Sequence, residues 1–363
     1  MTKISRTTDM TQGSEMRHII MFSLPLLAGN LLQQTYNIVD TMVVGRYLGD
    51  DALAAVGATG SITYLFYTLC IGLSVGAGII VAQYFGAGKK KAMRSAVFNS
   101  ALVTAIFGIV ISLLSVPAAR PILELLKVPD KLIGDSVAYM QIACGGTIAV
   151  AAYNWINAIM RALGDSKTPL IFLGAASLLN ALLDLLFVVV FKFGIAGAAW
   201  ATVLTQALSA ISCIVYCFAV SGEIRLTADD LHADKDMMSR CVKTGVPIAI
   251  QNGLISVSMV ALQRVTNGFG ETVMAAYTVS MRIEQFVQQP FSSLNAAVST
   301  FTGQNIGAGK EKRAQKGLAC AIKISVIFSA VVLVLFTLFG GAITSWFVKG
   351  KTVISISAKA LII

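Results

Sequence analysis

Ser23-Leu-Pro-Leu-Leu-Ala-Gly-Asn-Leu-Leu-Gln-Gln-Thr-Tyr-Asn-Ile-Val-Asp-Thr-Met-Val-Val-Gly-Arg-Tyr-Leu-Gly49 is long and apolar enough to cross a bilayer, yet it carries Asn30, Gln33, Gln34, Asn37 and Asp40. Asn30, Gln33, Asn37 and Asp40 follow steps of three and four, so a helix places them on one face. An ionised Asp inside a membrane helix costs roughly 2.5–3.5 kcal/mol on the insertion scale. Such a cost persists where the face looks into a protein cavity rather than into lipid. A later copy of this stretch has Ala261 or Leu262 where Asp40 would fall.

The rest of the chain has the same character. It is 56% hydrophobic and 13% charged, with a mean hydropathy of +0.76, where a soluble domain carries about 25% charged residues. This describes an all-α, polytopic membrane protein. Nine apolar segments are long enough to span as helices, near 19–45, 53–82, 95–118, 134–160, 168–191, 195–220, 243–265, 273–302 and 317–347, and a tenth begins near Val353. Residues 1–17 read as a polar cytoplasmic tail without a cleavage site, so the first span is retained. The net charge of +10 is explained by short basic loops rather than by nucleic-acid binding. With the N-terminus inside, 18 Lys and Arg residues fall on inner segments and 8 on outer ones, which sets the expected orientation. The six cysteines are scattered and read as reduced packing residues.

An internal repeat divides the chain. Gln83-Tyr-Phe-Gly86-Ala-Gly88-Lys89 matches Gln304-Asn-Ile-Gly307-Ala-Gly309-Lys310 at an offset of 221, and Leu48-Gly49-Asp50 matches Phe269-Gly270-Glu271 at the same offset. Both copies run in the same direction, so the expected architecture is two parallel-repeat lobes: 1–220 with six helices, a cytoplasmic linker 221–242, and a partial lobe 243–363 with helices 7–9 and the start of a tenth. By this offset Ile363 corresponds to Ile142. The repeat therefore predicts that roughly 80 further residues complete the second lobe, in a protein of about 440.

The motifs carry little enzymatic chemistry. Gly86-Ala-Gly88-Lys89 has the glycine and lysine of a phosphate loop, but Gln83 stands where its first Gly would be and no strand precedes it. His18 and His232 both lie outside the spans, so a histidine metal site is not expected, nor is any other resident metal or cofactor.

The polar residues inside the spans point elsewhere. At ~1.5 Å per residue, Asp40 and Tyr139 lie roughly 7 Å below the outer end of their helices, and Asp184 and Thr202 about 10 Å below. Asn180 is one turn from Asp184. Two carboxylates at matching depth suggest function rather than helix knitting. In the second half the polar groups are Gln251, Asn252, Arg282, Glu284, Gln288 and Gln289; Glu284 with Gln288 either faces the cavity or locks helices. Pro290 suggests a kink.

The repeat with its Gly-Ala-Gly-Lys turns, Pro25 in the first span, Arg161-Ala-Leu-Gly-Asp-Ser-Lys-Thr-Pro169, Asn180-Ala-Leu-Leu-Asp184, Gly197-Ala-Ala-Trp-Ala-Thr202 and Met281-Arg282-Ile-Glu284 together resemble the multidrug and toxic compound extrusion (MATE) family, bacterial type. The resemblance implies an antiporter in the plasma (inner) membrane, exporting cationic organic compounds in exchange for H⁺ or Na⁺. It implies ion coupling at Asp40, Asn180 and Asp184, with Tyr139, Asn157 and Thr202 around the same cavity. A Na⁺ ion would sit at Asp40, Asn180 and Asp184. Gln33, Gln34, Asn37, Asn157, Gln251, Asn252, Glu284 and Gln288 are expected to line the substrate cavity, and Pro25 to let helix 1 bend. An acid that some members carry in helix 7 falls near Ile255, which favours coupling through the first lobe. The expected partners are small cationic drugs or toxins and membrane lipids, with the protein a monomer. The competing readings are a flippase for lipid-linked precursors, an ion channel and an intramembrane enzyme.

Overall fold

The polar stretch folds as part of one helix, α1 (Glu15–Leu48), started by Ser14, whose hydroxyl accepts from the Arg17 N–H, and ended at Gly49. Gly49 has φ +85°, a left-handed conformation that favours glycine. In this computed structural model, which describes residues 7–220, 224–348 and 350–362, the chain continues through α2 (Asp50–Gly86), α3 (Lys90–Leu125), α4 (Asp130–Gly145), α5 (Thr147–Ala162), α6 (Lys167–Asp184), α7 (Gly194–Val220), α8 (Lys235–Asn267), α9 (Glu271–Gly307), α10 (Glu311–Ser345) and α11 (Lys351–Ala360).

The repeat is visible in the backbone. α2 and α9 are both 37 residues long, and each follows a glycine with φ near +85°. The turns after them use the same hydrogen bonds. Ala87 N–H donates to Gln83 C=O and Lys89 N–H to Tyr84 C=O; Ala308 N–H donates to Gln304 C=O and Lys310 N–H to Asn305 C=O. Gly88 and Gly309, both at positive φ, close the two turns.

Every expected span is helical, with four corrections. Among the described residues seven spans are long and apolar enough to cross a membrane, counting α4 and α5 as one; α1 and α9 are as long but more polar. The reason is their position: they pack on each other between the lobes, where Asn30 Nδ2 donates to Ser293 Oγ at 3.0 Å. The fourth span is bent by 43° between α4 and α5, where Gly145 and Gly146 supply no side chains and Gly146 sits against Val203 of α7. The fifth span ends in a π-helical segment, Leu185–Val190. The linker is shorter than 221–242: Asp234 caps α8 by accepting from the N–H groups of Asp236 and Met237, so helix begins at Lys235. Linker residues 221–223 lie outside the described residues, as do Lys3, Arg6 and Lys349 of the charge count.

What remains of the linker is docked. Asn99 of α3 accepts from the Asp234 N–H and donates to the His232 carbonyl. Asp230 accepts from the Thr227 N–H and hydroxyl and lies 3.8 Å from Arg94. The Thr227 N–H and hydroxyl hold the Asp230 carboxyl below its ordinary range, with Arg94 and Lys91 adding to the effect. A depressed carboxylate stabilises the fold above its unfolded pKa, and that contribution is lost as pH falls through the folded value. Asp230→Asn is therefore expected to lower thermal stability at neutral pH by ~1 kcal/mol. The gap from wild type should close on acidification below about pH 4 in a melting series.

The lobes pack most closely at the end carrying the two Gly-Ala-Gly-Lys turns. There α2 crosses α8 with Gly72 against the Ala249 backbone and Gly76 against Gly245. In lipid, apolar side chains gain little from leaving their solvent, so such close backbone contact is what holds helices together. Gly86 sits on the Gln304 carbonyl and Gly307 on the Gln83 carbonyl, a reciprocal pair across the pseudo-twofold. The N-terminal segment straps the same end. Thr8 N–H donates to Leu163 C=O in the first lobe, Gln304 accepts from the Met10 N–H, and Arg313 donates to the carbonyls of Gln12 and Gly13. Toward the other end the packing opens into a cleft, and among the described residues nothing lies against Gly57 or Gly60 of α2.

α1 belongs to both lobes. Ile19, Phe22 and Leu26 pack with Leu294, Ala297 and Phe301 of α9, whereas Gly29 lies against Leu170 and Leu173 of α6, and Val43 and Val44 pack in the first lobe. Pro25 sits inside the continuous helix where this handover occurs.

Candidate functional site

Asp40 and Asp184 face each other inside the first lobe. The α1 stripe splits in the structure: Gln33 and Asn37 are exposed, whereas Gln34 and Asp40 are half-buried and Asp40 is turned to Asp184. A step of four back from Asp40 lies Tyr36, whose hydroxyl is within hydrogen-bonding reach of Thr202 on α7. Asp184 ends α6 and is fully buried, with Asn180 one turn before it and equally buried. The two carboxyls are within hydrogen-bonding reach of each other if one carries a proton. Tyr139 of α4 is in electrostatic range of both.

Most of these carboxyl oxygens have no partner. Asp40 Oδ1, both Asp184 oxygens and both amide atoms of Asn180 are buried without a hydrogen-bond partner. A buried polar atom without a partner costs about 1–3 kcal/mol, and two adjacent carboxylates are costly to ionise together. Buried carboxylate and amide oxygens left without a partner at one place are suited to a shared proton or a small hard cation. The π-helical segment begins at the residue after Asp184, a type of irregularity frequent at functional sites.

The sequence-derived residues thus separate into two groups. Asp40, Asn180, Asp184, Thr202 and Tyr139 come together in the first lobe. Asn157 on α5 is buried one turn from Tyr153 and within its hydrogen-bonding reach. The second-lobe residues lie elsewhere: Gln251 and Glu284 are exposed, Asn252 is half-buried, and Gln288 Nε2 donates to Glu284 Oε1 at 3.4 Å. Gln251 lines an open groove along α8 with Ile255 and Met259, away from the carboxylate pair. Among the described residues no ion pair joins Arg282 to Glu284. Sequence reasoning missed Tyr36, which is in electrostatic range of both carboxyls, and Tyr67 and Tyr153, which are in range of Tyr36. The i, i+4 spacing of Tyr36 and Asp40 was the available signal.

Two parallel-repeat helical lobes with a cleft between them and buried carboxylates beside it define a multi-pass membrane transporter rather than an enzyme. The MatE profile matches residues 25–186 and 247–363, once in each lobe, and the chain belongs to that family. It is 32% identical over 307 residues to the probable multidrug resistance protein YpnP of Bacillus subtilis (strain 168), covering 84% of this chain and 68% of that one. It is 30% identical over 364 residues to the probable multidrug resistance protein YoeA of the same organism, covering 98% and 79%. Its fold matches a solved outward-facing conformation of a multidrug resistance MATE family transporter with a TM-score of 0.90 at 24% identity, covering 98% of this chain and 80% of that one.

Proposed function

We propose that the chain is a secondary active exporter of organic cations, driven by H⁺ or Na⁺ exchange at Asp40 and Asp184. The observation that carries this reading is the facing pair of carboxyls, with both Asp184 oxygens and Asp40 Oδ1 buried without a partner. The names of its relatives support the substrate class. An entering proton or Na⁺ relieves the repulsion between the two carboxylates; an organic cation in the cleft, beside Gln33 and Asn37, relieves it instead. Competition between the two makes occupancy exclusive, and exclusive occupancy is what exchange requires. Asn180 completes the oxygen set, and Tyr139 and Thr202 border it. Pro25, at the handover of α1 between lobes, is the hinge at which the helix bends as access alternates. The turn end, rich in Lys and Arg, faces the cytoplasm of the plasma membrane, so the described form is open to the outside.

Dye efflux from vesicles under an imposed pH gradient, compared with an imposed sodium gradient, tests this directly. One of the two gradients is expected to drive ethidium transport. Transport equal to that of empty vesicles under both gradients would remove the antiporter reading.

A further inference from the structure

α5 carries polar side chains at steps of four: Tyr153, Asn157 and Arg161. Tyr153 is in electrostatic range of Tyr36 at the carboxylate site and Asn157 is within hydrogen-bonding reach of Tyr153; Arg161 is in range of Tyr153 but of neither carboxylate. It lines a separate cavity of about 200 Å³ between the lobes, just above their closed end. The sequence-based charge count places Arg161 in an inner loop; the structure keeps it on the last turn of α5, facing the other lobe.

Three features mark this cavity as a site. Among the described residues Arg161 makes no ion pair and its guanidinium donates no hydrogen bond. The neighbouring acid in sequence, Asp165, is engaged elsewhere: it accepts from the Lys167 and Thr168 N–H groups and the Thr168 hydroxyl at the start of α6. Among the described residues no carboxylate lines the cavity. Finally, the facing wall is α9, which presents Ser292, Asn295, Ser299 and Thr300. On the same helix Thr278, Ser280 and Ser293 each bond back to the carbonyl four residues earlier. Among the described residues the side chains of the four cavity residues make no such bond, and those of Ser292 and Asn295 are exposed.

We propose that this cavity is an oxyanion subsite. Arg161 from one lobe and Asn295 and Ser299 from the other hold the carboxylate or phosphate ester of an organic substrate whose remaining bulk lies in the cleft. A planar guanidinium matches such groups with paired hydrogen bonds, and a cavity of this size holds the anionic head alone. The transporter then takes zwitterionic and anionic organic molecules as well as cations. This rests on the exporter reading, but concerns a site distinct from the carboxylate pair.

The test is a matched pair of fluorescent probes: a xanthene dye with a free carboxylate, and the same dye as its methyl ester. Binding to the purified full chain is followed by anisotropy. Arg161→Gln is expected to weaken the free acid about tenfold, one guanidinium–oxyanion contact, and to leave the ester within about twofold. Arg161→Lys should restore part of the loss. Asn295→Leu, on the opposite lobe, should weaken the free acid selectively, which a purely structural Arg161 does not explain. Nanodiscs with and without phosphatidylglycerol should give the same free-acid affinity; a loss confined to the anionic discs would assign the subsite to a lipid headgroup and overturn the proposal. Equal losses for acid and ester, or no loss for either, would also overturn it. Failure of the free acid to bind wild type does so too, and the ester's binding then shows whether the exporter reading survives.

Discussion

Asp40→Asn is expected to abolish gradient-driven efflux, to below about a tenth of the wild-type rate, while the folded protein remains as abundant and as heat-stable as before. Asp184→Asn should do the same or move the pH dependence of transport. Asn keeps the volume and depth of the side chain and removes only the ionisable group. Because neither Asp184 oxygen nor Asp40 Oδ1 has a hydrogen-bond partner, each substitution disturbs little of the packing and relieves a like-charge contact. A residue that merely tied helices together would behave oppositely, costing stability and sparing exchange. The measurement is dye efflux from inverted vesicles across about pH 6 to 8, with and without sodium, beside melting curves of the same variants. Full gradient-dependent transport by both variants would exclude the first lobe as the coupling site.

The second large effect is expected at the seal. Gly86 and Gly307 each leave room for nothing between themselves and the opposite lobe's backbone carbonyl, of Gln304 and Gln83 respectively. A flexible side chain could move aside from an added methyl; a carbonyl held in a helix cannot without moving the lobe. Gly86→Ala combined with Gly307→Ala should therefore force the turn end apart. The Met10–Gln304 bond and the strap over Arg313 oppose this opening. We expect the open population at that end to rise at least tenfold, about 1.4 kcal/mol, with export lost because the cycle cannot return to the sealed form. Thr300→Cys, buried behind the seal, reports the change in a background without other cysteines. A membrane-impermeant thiol reagent should label it faster in the double variant, and only from the cytoplasmic face. Labelling from the outside alone would reverse the orientation; unchanged labelling would show that the seal accommodates both methyl groups.

Much of this protein is determined locally, and that part was legible in its residues. Apolar length sets the membrane helices, because an unpaired backbone in hydrocarbon is too costly to leave outside a helix. The offset of 221 sets the two-lobe plan, and in the structure α2 and α9 match in length and in both terminal glycines. The depths of Asp40, Asn180 and Asp184 follow from helical rise alone.

Position across the membrane plane does not follow from rise. Whether Asp40 meets Asp184 depends on how α1 is rotated against α6, and that is fixed by Gly29 packing on Leu170 and Leu173. The bend at Gly145 and Gly146 depends on Val203 filling the space beside it, and the π-helical segment after Asp184 has no marker in its Leu-Leu-Phe-Val-Val-Val sequence. Arg161 shows the limit best. Its neighbours in sequence make it a loop charge, yet its facing partners lie on α9, more than a hundred residues away and in the other lobe. Helical periodicity ties a residue to others within a turn or two of its own helix; only the packing of one lobe on the other brings distant turns together.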